Sequence, residues 1–275
     1  MSPGPVRLAA GGARLAVDPA DGGRWTSLSV DDLDLLTGVA LPGGHPPTLH
    51  GCFPMAPFAG RLHQARLEWG GQVHPLPAHA APHAIHGTAV DAAWSVKETT
   101  PTTAVLEHEL TAPWPFRGRV RQELSLFDDR LETALVVAAD EQMPVVVGWH
   151  PWFLRRLARG GAVELDVAPQ QMYELGADGL PTGRLVPPPA GPYDDCFLGL
   201  TRPPRLTWPG ALELVLDSPT DHWVVFTERP EAVCVEPQTG PPDAVRLGRA
   251  TVVPAGGSHE LRLVLGWRRL PADRP

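Results

Sequence analysis

The amino-acid sequence predicts an all-β protein, a large antiparallel β-sandwich formed as a single domain over residues 1–275. Its 28 Gly and 33 Pro interrupt helices and favour short strands joined by turns. A 43% hydrophobic content, nine Trp and 20% charged residues provide the apolar surface for a packed core, which argues against disorder. Apolar and polar residues also alternate with the period of two that is typical of half-buried strands.

Two β-hairpins are the clearest predicted elements. Residues 120–126 and 130–137 alternate on either side of an Asp-Asp turn. Residues 67–69 and 72–74 flank a Gly-Gly pair, which supplies the positive φ angles that a tight hairpin turn requires. No segment has the pattern of a long amphipathic helix, and further strands are predicted at residues 104–110, 212–216, 222–227, 232–236 and 260–265.

The Pro-rich stretch 181–192 is either an interdomain linker or a long loop over one end of a sheet. Strands of similar character lie on both sides of it, and the composition does not shift. We therefore expect a loop, and long loops in compact domains are often functional.

The net charge, the cysteines and the N-terminus limit which partners and which cellular compartment we expect. A net charge of −8 argues against nucleic acid and anionic membranes, which reward a basic face, and favours a neutral small molecule. The three cysteines cannot all pair, and none has C-x-x-C spacing, so we expect a reducing cytoplasm. We also expect no secretion signal in the first 12 residues and no apolar run of roughly 20 residues for a membrane span.

The sequence lacks the short motifs of nucleotide, dinucleotide, zinc-protease and serine-hydrolase sites. Seven of its 11 histidines fall between His45 and His86, but no carboxylate or cysteine set with ligand spacing accompanies them. We therefore expect neither a metal nor a cofactor. The remaining polar clusters are widely separated, as for a site assembled on the face of a sheet.

Two of these clusters precede the long hairpin. Arg61 ends an apolar segment with two prolines, and is either a solvated residue at a core edge or a ligand-binding group. His86 lies between Ile85 and Gly87, and is either a hydrogen-bonded core histidine or a partly buried group beside a backbone that a ligand approaches through the glycine.

His150 lies in an apolar segment among Trp149, Trp152 and Phe153. The following proline disfavours the α region, so His150 is expected to be extended. Aromatic neighbours offer flat faces to the C–H groups of a ligand, although packing alone also explains them. Partial burial is expected to leave the imidazole pKa near its ordinary value of about 6.5, which suits proton donation at neutral pH.

Glu236 ends a short apolar strand and also precedes a proline, so it too is expected to be extended. Alternation places Val233 and Val235 on one face and Cys234 and Glu236 on the other. An unpaired carboxylate in a partly dry site has a raised pKa, as a general base needs, and a structural ion pair is the alternative. The adjacent acids Asp194 and Asp195, read alone, indicate a solvent-facing loop.

In this order the segments resemble the aldose 1-epimerase (galactose mutarotase) family, most closely its shorter bacterial members. The resemblance begins near residues 22–24 and ends near Asp243. It implies a galactose mutarotase-like supersandwich that binds a small-molecule sugar in an open cleft, without cofactor or metal, as a monomer or homodimer. It also implies interconversion of α and β anomers. We expect the two proton-handling groups to converge on opposite sides of one sugar-sized cleft.

The resemblance assigns a role to each cluster. The His of the H-x-aromatic-Phe motif corresponds to His150 as general acid, and the Glu of the E-x-Q motif corresponds to Glu236 as general base. Sugar-binding roles are implied for residues matching the family's other motif positions, namely Arg61, His86, Trp152, Asp194 and Gln238. Gly60, Thr88 and the Pro-Trp pair after His150 depart from the residues common in the family.

Three alternative functions remain at this point. A sugar-phosphate 1-epimerase needs a second basic group beside Arg61, for which Arg155 and Arg156 are candidates. A non-catalytic sugar-binding or sensor protein keeps the fold but loses the acid–base pair, and the presence of His150 and Glu236 disfavours it. A glycoside hydrolase or lyase calls for two opposed carboxylates, whereas only Glu236 has a suitable context.

Overall fold

The computed structural model describes residues 4–38 and 48–271. Within these ranges the chain forms β-strands and a single 3-10 turn, His63–Ala65, so the all-β prediction is confirmed. In chain order the strands are β1 Val6–Ala10, β2 Ala13–Asp18, β3 Arg24–Val30, β4 Leu33–Asp34, β5 Cys52–Met55, β6 Arg61–Leu62, β7 Arg66–Trp69, β8 Gln72–Pro75, β9 Ala84–Ile85, β10 Ser95–Thr99, β11 Thr103–Leu110, β12 Gly118–Leu126, β13 Arg130–Ala139, β14 Met143–Val145, β15 Gly148–Leu154, β16 Glu164–Asp166, β17 Gln171–Leu175, β18 Pro181–Val186, β19 Asp194–Leu198, β20 Arg205–Trp208, β21 Leu212–Asp217, β22 His222–Phe226, β23 Ala232–Gln238, β24 Thr251–Val253 and β25 Ser258–Arg269.

Two large antiparallel sheets make up the sandwich. The first has the order β1-β2-β3-β5-β15-β23-β22-β19-β17-β18, with β4 paired to β3. The second has the order β10-β11-β12-β13-β25-β21-β20-β16. Strands that are distant in sequence, such as β5, β15 and β23, are therefore neighbours in the centre of the first sheet, and this arrangement positions the site described below.

The main core lies between the two sheets. Trp25 and Leu28 of the first sheet and Leu124 and Leu263 of the second belong to one buried cluster. Burying a side chain of this size stabilises the fold by about 1.5–3 kcal/mol. A polar contact also joins the sheets, because the Trp25 indole N–H donates to the buried Gln122 amide oxygen at 2.6 Å.

The predicted hairpins are confirmed. Strands β12 and β13 pair across the Asp-Asp turn, and their alternate residues are buried, as the period-two pattern requires. Strands β7 and β8 pair across the Gly-Gly turn. The other five predicted strands coincide with β11, β21, β22, β23 and β25 to within a few residues at their ends.

Two expectations about loops are wrong. The Pro-rich stretch is not a loop throughout, because β18 (Pro181–Val186) pairs with β17 at the edge of the first sheet. Asp194 and Asp195 do not lie in a loop either, since they begin β19, which pairs with β22. Proline is tolerated at the first residue of an edge strand, because no hydrogen bond of the sheet requires its N–H there.

No helix among the described residues has the length and the apolar character needed to span a membrane.

Candidate active site

Strand register aligns side chains in rows across the first sheet. His150 of β15 is paired with Phe53 of β5, and the register of β15 with β23 places it opposite Glu236. The same row continues through Val224 of β22 to Cys196 of β19. Residues two positions away along each strand point to the same face, so a second row parallel to the first contains Trp152, Cys234, Phe226 and Asp194.

The other face of these strands points into the core. Trp149 and Phe153 of β15 and Val233 and Val235 of β23 are all buried in the cluster between the sheets. The predicted division of β23 into two faces is therefore confirmed. It follows that His150 and Glu236 lie on the outer face of the first sheet, away from the sandwich core.

A cavity of about 270 Å³ lies over this face. Its lining includes every residue that the sequence analysis singled out for catalysis or sugar binding: Arg61, His86, His150, Trp152, Asp194, Glu236 and Gln238. The structure thus brings together residues from four strands, β6, β15, β19 and β23, and from the segment that follows β9.

His150 and Glu236 are in direct contact. The His150 Nε2 atom is 3.2 Å from the Glu236 Oε1 atom, and both side chains are buried. The expectation that the two groups face each other across the cleft is therefore wrong: they are cross-strand neighbours on one side of it. The reason is the register of β15 and β23, which local sequence does not reveal.

Glu236 is also held from its other oxygen, because the Gln238 amide N–H donates to Oε2 at 3.1 Å. Burial raises the pKa of Glu236 well above its usual range, and the nearby Asp194 charge adds to the rise. The Gln238 hydrogen bond and the Arg61 charge act in the opposite direction. The predicted rise in pKa is confirmed, although the carboxylate is paired rather than free.

The environment of His150 differs from the expectation. Burial lowers the imidazole pKa well below its usual range, and His86 and Arg24 lower it further. The ring stacks on Phe53 at 4.7 Å and on Trp152 at 5.1 Å between centroids, so apolar surface replaces water around it. The pKa of His150 is therefore not close to its ordinary value.

Arg24 is a residue of the site's surroundings that sequence reasoning missed. It is fully buried, and its guanidinium donates to Asp21 at 2.7 Å and to the His50 carbonyl at 2.9 Å. The same guanidinium lies 4.8 Å from the centroid of Phe53, the ring that stacks on His150. Its only signal in the sequence was its place at the start of the resemblance.

A short two-stranded ladder positions Arg61 and His86. Strands β6 and β9 pair through Arg61 and Ile85, and the His86 N–H donates to the Gly60 carbonyl at 3.0 Å. In the described part of the chain, the Arg61 guanidinium has no hydrogen bond or ion pair. Its donors are therefore open to a ligand. Burial, together with the Arg61 charge, lowers the pKa of His86 to about 3, so this imidazole is neutral.

Gly87 has a different role from the one expected. A Cβ atom at this position would lie 1.9 Å from the carbonyl oxygen of Ala56, and its φ of +88° is also unfavourable for other residues. The glycine is thus required because two backbone segments pack together, rather than to admit a ligand. This close packing fixes the segment that carries His86.

Trp152 and Asp194 lie in the second row of the site. The Trp152 indole N–H donates to the Thr48 carbonyl at 2.9 Å, which leaves the ring, not the N–H, to contact a ligand. Phe226 packs edge-on against it at 5.5 Å. Asp194 is exposed and lines the cavity, so its carboxylate is accessible from solvent.

Arg155 and Arg156, the predicted second basic groups, do not line the cavity. The Arg155 guanidinium instead donates to backbone carbonyls, including that of Arg229 at 2.7 Å. Arg229 itself is the second basic residue of the cavity, and sequence reasoning missed it. Its guanidinium forms an ion pair with Glu231 at 2.8 Å.

The structure also contains a set of side chains that fits metal ligation. The ligand atoms of His150, Cys234 and Glu236 all lie within 4.8 Å of one another. No metal was expected from the sequence, because no ligand set accompanies the histidine-rich segment and His150 is far in sequence from Cys234 and Glu236. The histidine-rich segment contributes nothing to it, and His45 lies outside the described residues.

The fold and the site define a class of protein: an all-β sandwich with an imidazole–carboxylate pair in a pocket on the outer face of one sheet. Within that class, the chain belongs to the aldose 1-epimerase family, whose model matches residues 6–265. The predicted resemblance and fold class are thereby confirmed.

Individual relatives are distant. The uncharacterized protein YphB of Escherichia coli (strain K12) is 30% identical over 106 residues, which span 37% of this chain and 36% of that relative. A galactose mutarotase-like protein from Clostridium acetobutylicum is 16% identical with a TM-score of 0.83, covering 96% of this chain and 95% of that chain. Galactose 1-epimerase from Lactobacillus acidophilus NCFM is 14% identical with a TM-score of 0.77, covering 94% and 92%. At these identities the two structures share the fold.

Proposed function

We propose that the protein is an aldose 1-epimerase, an isomerase that interconverts the α and β anomers of a free aldose by opening and closing the sugar ring. The observation that carries this proposal is the contact between His150 and Glu236 in a cavity lined by polar and aromatic groups. A galactose 1-epimerase with the same fold supports it.

The adjacency of the two groups suits the reaction. Ring opening needs a proton delivered to the ring oxygen and another removed from the anomeric hydroxyl. These two oxygens are bonded to the same carbon, C1, so a donor and an acceptor that lie side by side reach both from one side of the sugar. Each positioned proton donor or acceptor typically contributes about 10²–10⁴ in rate.

The protons balance over the whole cycle. His150 as imidazolium donates its proton to the ring oxygen while Glu236 as carboxylate takes the hydroxyl proton, and the C1–ring-oxygen bond breaks to give an aldehyde. The C1–C2 bond then rotates. Glu236 returns its proton to the C1 oxygen, His150 takes back the proton from the C5 hydroxyl, and the ring closes as the other anomer. The cycle consumes no oxidant, nucleotide or other co-reactant.

Burial stabilises the ring-opened stage of this cycle. After ring opening both groups are neutral, and burial raises the pKa of Glu236 while it lowers that of His150, so the neutral pair is stabilised. The Gln238 N–H and the Arg61 charge favour the carboxylate, and hence the starting form. The neutral pair and the imidazolium–carboxylate pair are therefore closer in free energy than they would be if burial acted alone.

The other predicted residues hold the sugar in this account. The free guanidinium of Arg61, the neutral imidazole of His86 and the exposed carboxylate of Asp194 offer hydrogen bonds to hydroxyl groups. Trp152 lines the cavity, and the small exposed part of its apolar ring contacts the C–H groups of the sugar. Gln238 donates its amide N–H to Glu236 and also contacts the sugar from the cavity wall.

A sugar phosphate is the second candidate substrate, because Arg229 lines the cavity together with Arg61. Two features favour the free sugar. The Arg229 charge is already paired with Glu231, and the exposed carboxylate of Asp194 lines the cavity, where it repels a phosphate.

Polarimetry with freshly dissolved α-glucose and α-galactose tests the proposal. Glu236→Gln and His150→Asn should each lower the enzymatic rate by at least about a hundredfold. The matched controls Glu68→Gln and His79→Asn change the same residue types at exposed positions and should leave the rate unchanged. Circular dichroism establishes that each variant is folded. Wild-type rates in both site variants would overturn the mechanism, and activity on sugar 6-phosphates alone would favour the second substrate.

A further inference from the structure

The same pocket combines three side chains whose ligand atoms differ in kind: an imidazole nitrogen, a thiol sulfur and a carboxylate oxygen. We propose that His150, Cys234 and Glu236 form a Zn²⁺ site, and that Zn²⁺ bound there reversibly inhibits the enzyme by occupying the acid–base pair. The inhibition, but not the binding, rests on the proposed function.

The geometry is close to that of a three-ligand zinc site. With zinc bonds of about 2.0–2.2 Å, neighbouring N and O ligands of a tetrahedral site lie about 3.3–3.4 Å apart. His150 Nε2 and Glu236 Oε1 are 3.2 Å apart before any metal binds. The Cys234 sulfur lies within 4.8 Å of both, so it needs to move on the order of 1 Å to complete the set at a zinc–sulfur distance of about 2.3 Å.

The chemistry of the three ligands selects zinc. Sulfur and imidazole ligands disfavour Mg²⁺ and Ca²⁺, which prefer all-oxygen sites, and suit Zn²⁺. All three side chains are buried, with exposed fractions of 6% for His150, 2% for Glu236 and 0% for Cys234. A dication bound by one thiolate and one carboxylate has no net charge, which reduces the cost of placing the ion in a buried site.

A fourth ligand position is available on the cavity side. His150 and Glu236 line the cavity, so an ion can reach them from solvent. Gln238, whose N–H contacts Glu236, has a buried amide oxygen without a hydrogen-bond partner in the described part of the chain. That oxygen, a water or a sugar hydroxyl completes the tetrahedron, as in zinc sites that keep one open position.

Packing alone is the competing explanation for Cys234. Its side chain lies in a small buried cluster with Phe53, Met55 and Trp152, where a thiol is accommodated without a metal. Cys234→Ala keeps an apolar side chain and removes only the sulfur ligand. Cys196→Ala is the matched control, because Cys196 is also buried and lies in the same row as Glu236, but outside the ligand set.

Metal binding is measured on the full chain after treatment with a chelator, without any sugar. Calorimetric titration with Zn²⁺ should give one site in wild type and in Cys196→Ala, with affinity at least about tenfold weaker in Cys234→Ala. Co²⁺ in place of zinc should produce a thiolate-to-metal charge-transfer band in the near ultraviolet. Wild type and Cys196→Ala should show this band, and Cys234→Ala should not. Absence of that band in folded wild type, or equal Zn²⁺ affinity in Cys234→Ala, would overturn the site.

Inhibition is measured separately by polarimetry. Zn²⁺ should slow anomer interconversion by wild type, EDTA should restore it, and the ratio of rates with and without zinc should approach one in Cys234→Ala. Zinc that binds through Cys234 without slowing the reaction would overturn the inhibitory role. If no sugar is turned over at all, the proposed function fails, and the binding measurements still decide whether the metal site exists.

Discussion

At the residue scale, a buried arginine lies behind the acid–base pair without touching it. Arg24 is fully buried behind Phe53, and Phe53 stacks on His150, so the guanidinium supports the ring that orients the imidazole. Asp21 and the His50 carbonyl hold the guanidinium in place. A buried arginine is costly unless it is paired in this way, and its position behind the site indicates a positioning role.

Arg24→Met should destabilise the protein by about 1.5–3 kcal/mol, the usual effect of losing a hydrogen bond to a charged group. It should also lower kcat by at least about tenfold with a smaller change in KM, because small displacements of a catalytic group are costly. Chemical denaturation and polarimetry measure the two effects. Arg24→Lys keeps the charge but not the planar fork, and should recover only part of the loss. A variant with reduced stability and an unchanged kcat would limit Arg24 to a structural role.

At the element scale, local pattern located part of each large sheet and the hairpin β7–β8. The hairpins β7–β8 and β12–β13 were predictable because alternation and turn residues are properties of adjacent positions. Strands β18 and β19 were missed because prolines and adjacent acids are typical of loops. Tertiary pairing at the sheet edge overrides that local preference.

The ladder of β6 and β9 depends on one glycine. Gly87→Ala should destabilise the protein more than Gly70→Ala does, because both positions have positive φ but only Gly87 would place a Cβ atom against backbone. Gly70→Ala should cost about 1 kcal/mol from backbone strain alone. Gly87→Ala should also raise KM, since it displaces the segment that carries His86. Thermal unfolding and sugar titration of both variants test this, and equal effects would contradict it.

At the scale of the whole molecule, acid should weaken the fold through Asp21. Burial by itself would raise the pKa of Asp21, but hydrogen bonds from His50 and Arg24 outweigh it and lower the pKa to about 2. A carboxylate with a lowered pKa in the folded state contributes stability at pH values above its unfolded value of 3.8. That contribution is lost progressively as the pH falls from about 4 to about 2.

Denaturant unfolding of wild type and Asp21→Asn between pH 6 and pH 2 measures this contribution. The stability difference between the two proteins should be constant near neutral pH and should shrink below about pH 4, because the variant has no carboxylate to protonate at this position. A difference that does not change over this range would show that Asp21 ionisation is not linked to folding.

The sequence by itself determined the all-β class, several of the strands and which side chains of β23 share a face. These are properties of alternation and of the prolines after His150 and Glu236. Only the tertiary structure decided that His150 and Glu236 touch, that the pKa of His150 is lowered, and that Arg24 lies behind the pair. The physical reason is that strand register and burial arise from contacts between residues far apart in the chain, which no local pattern encodes.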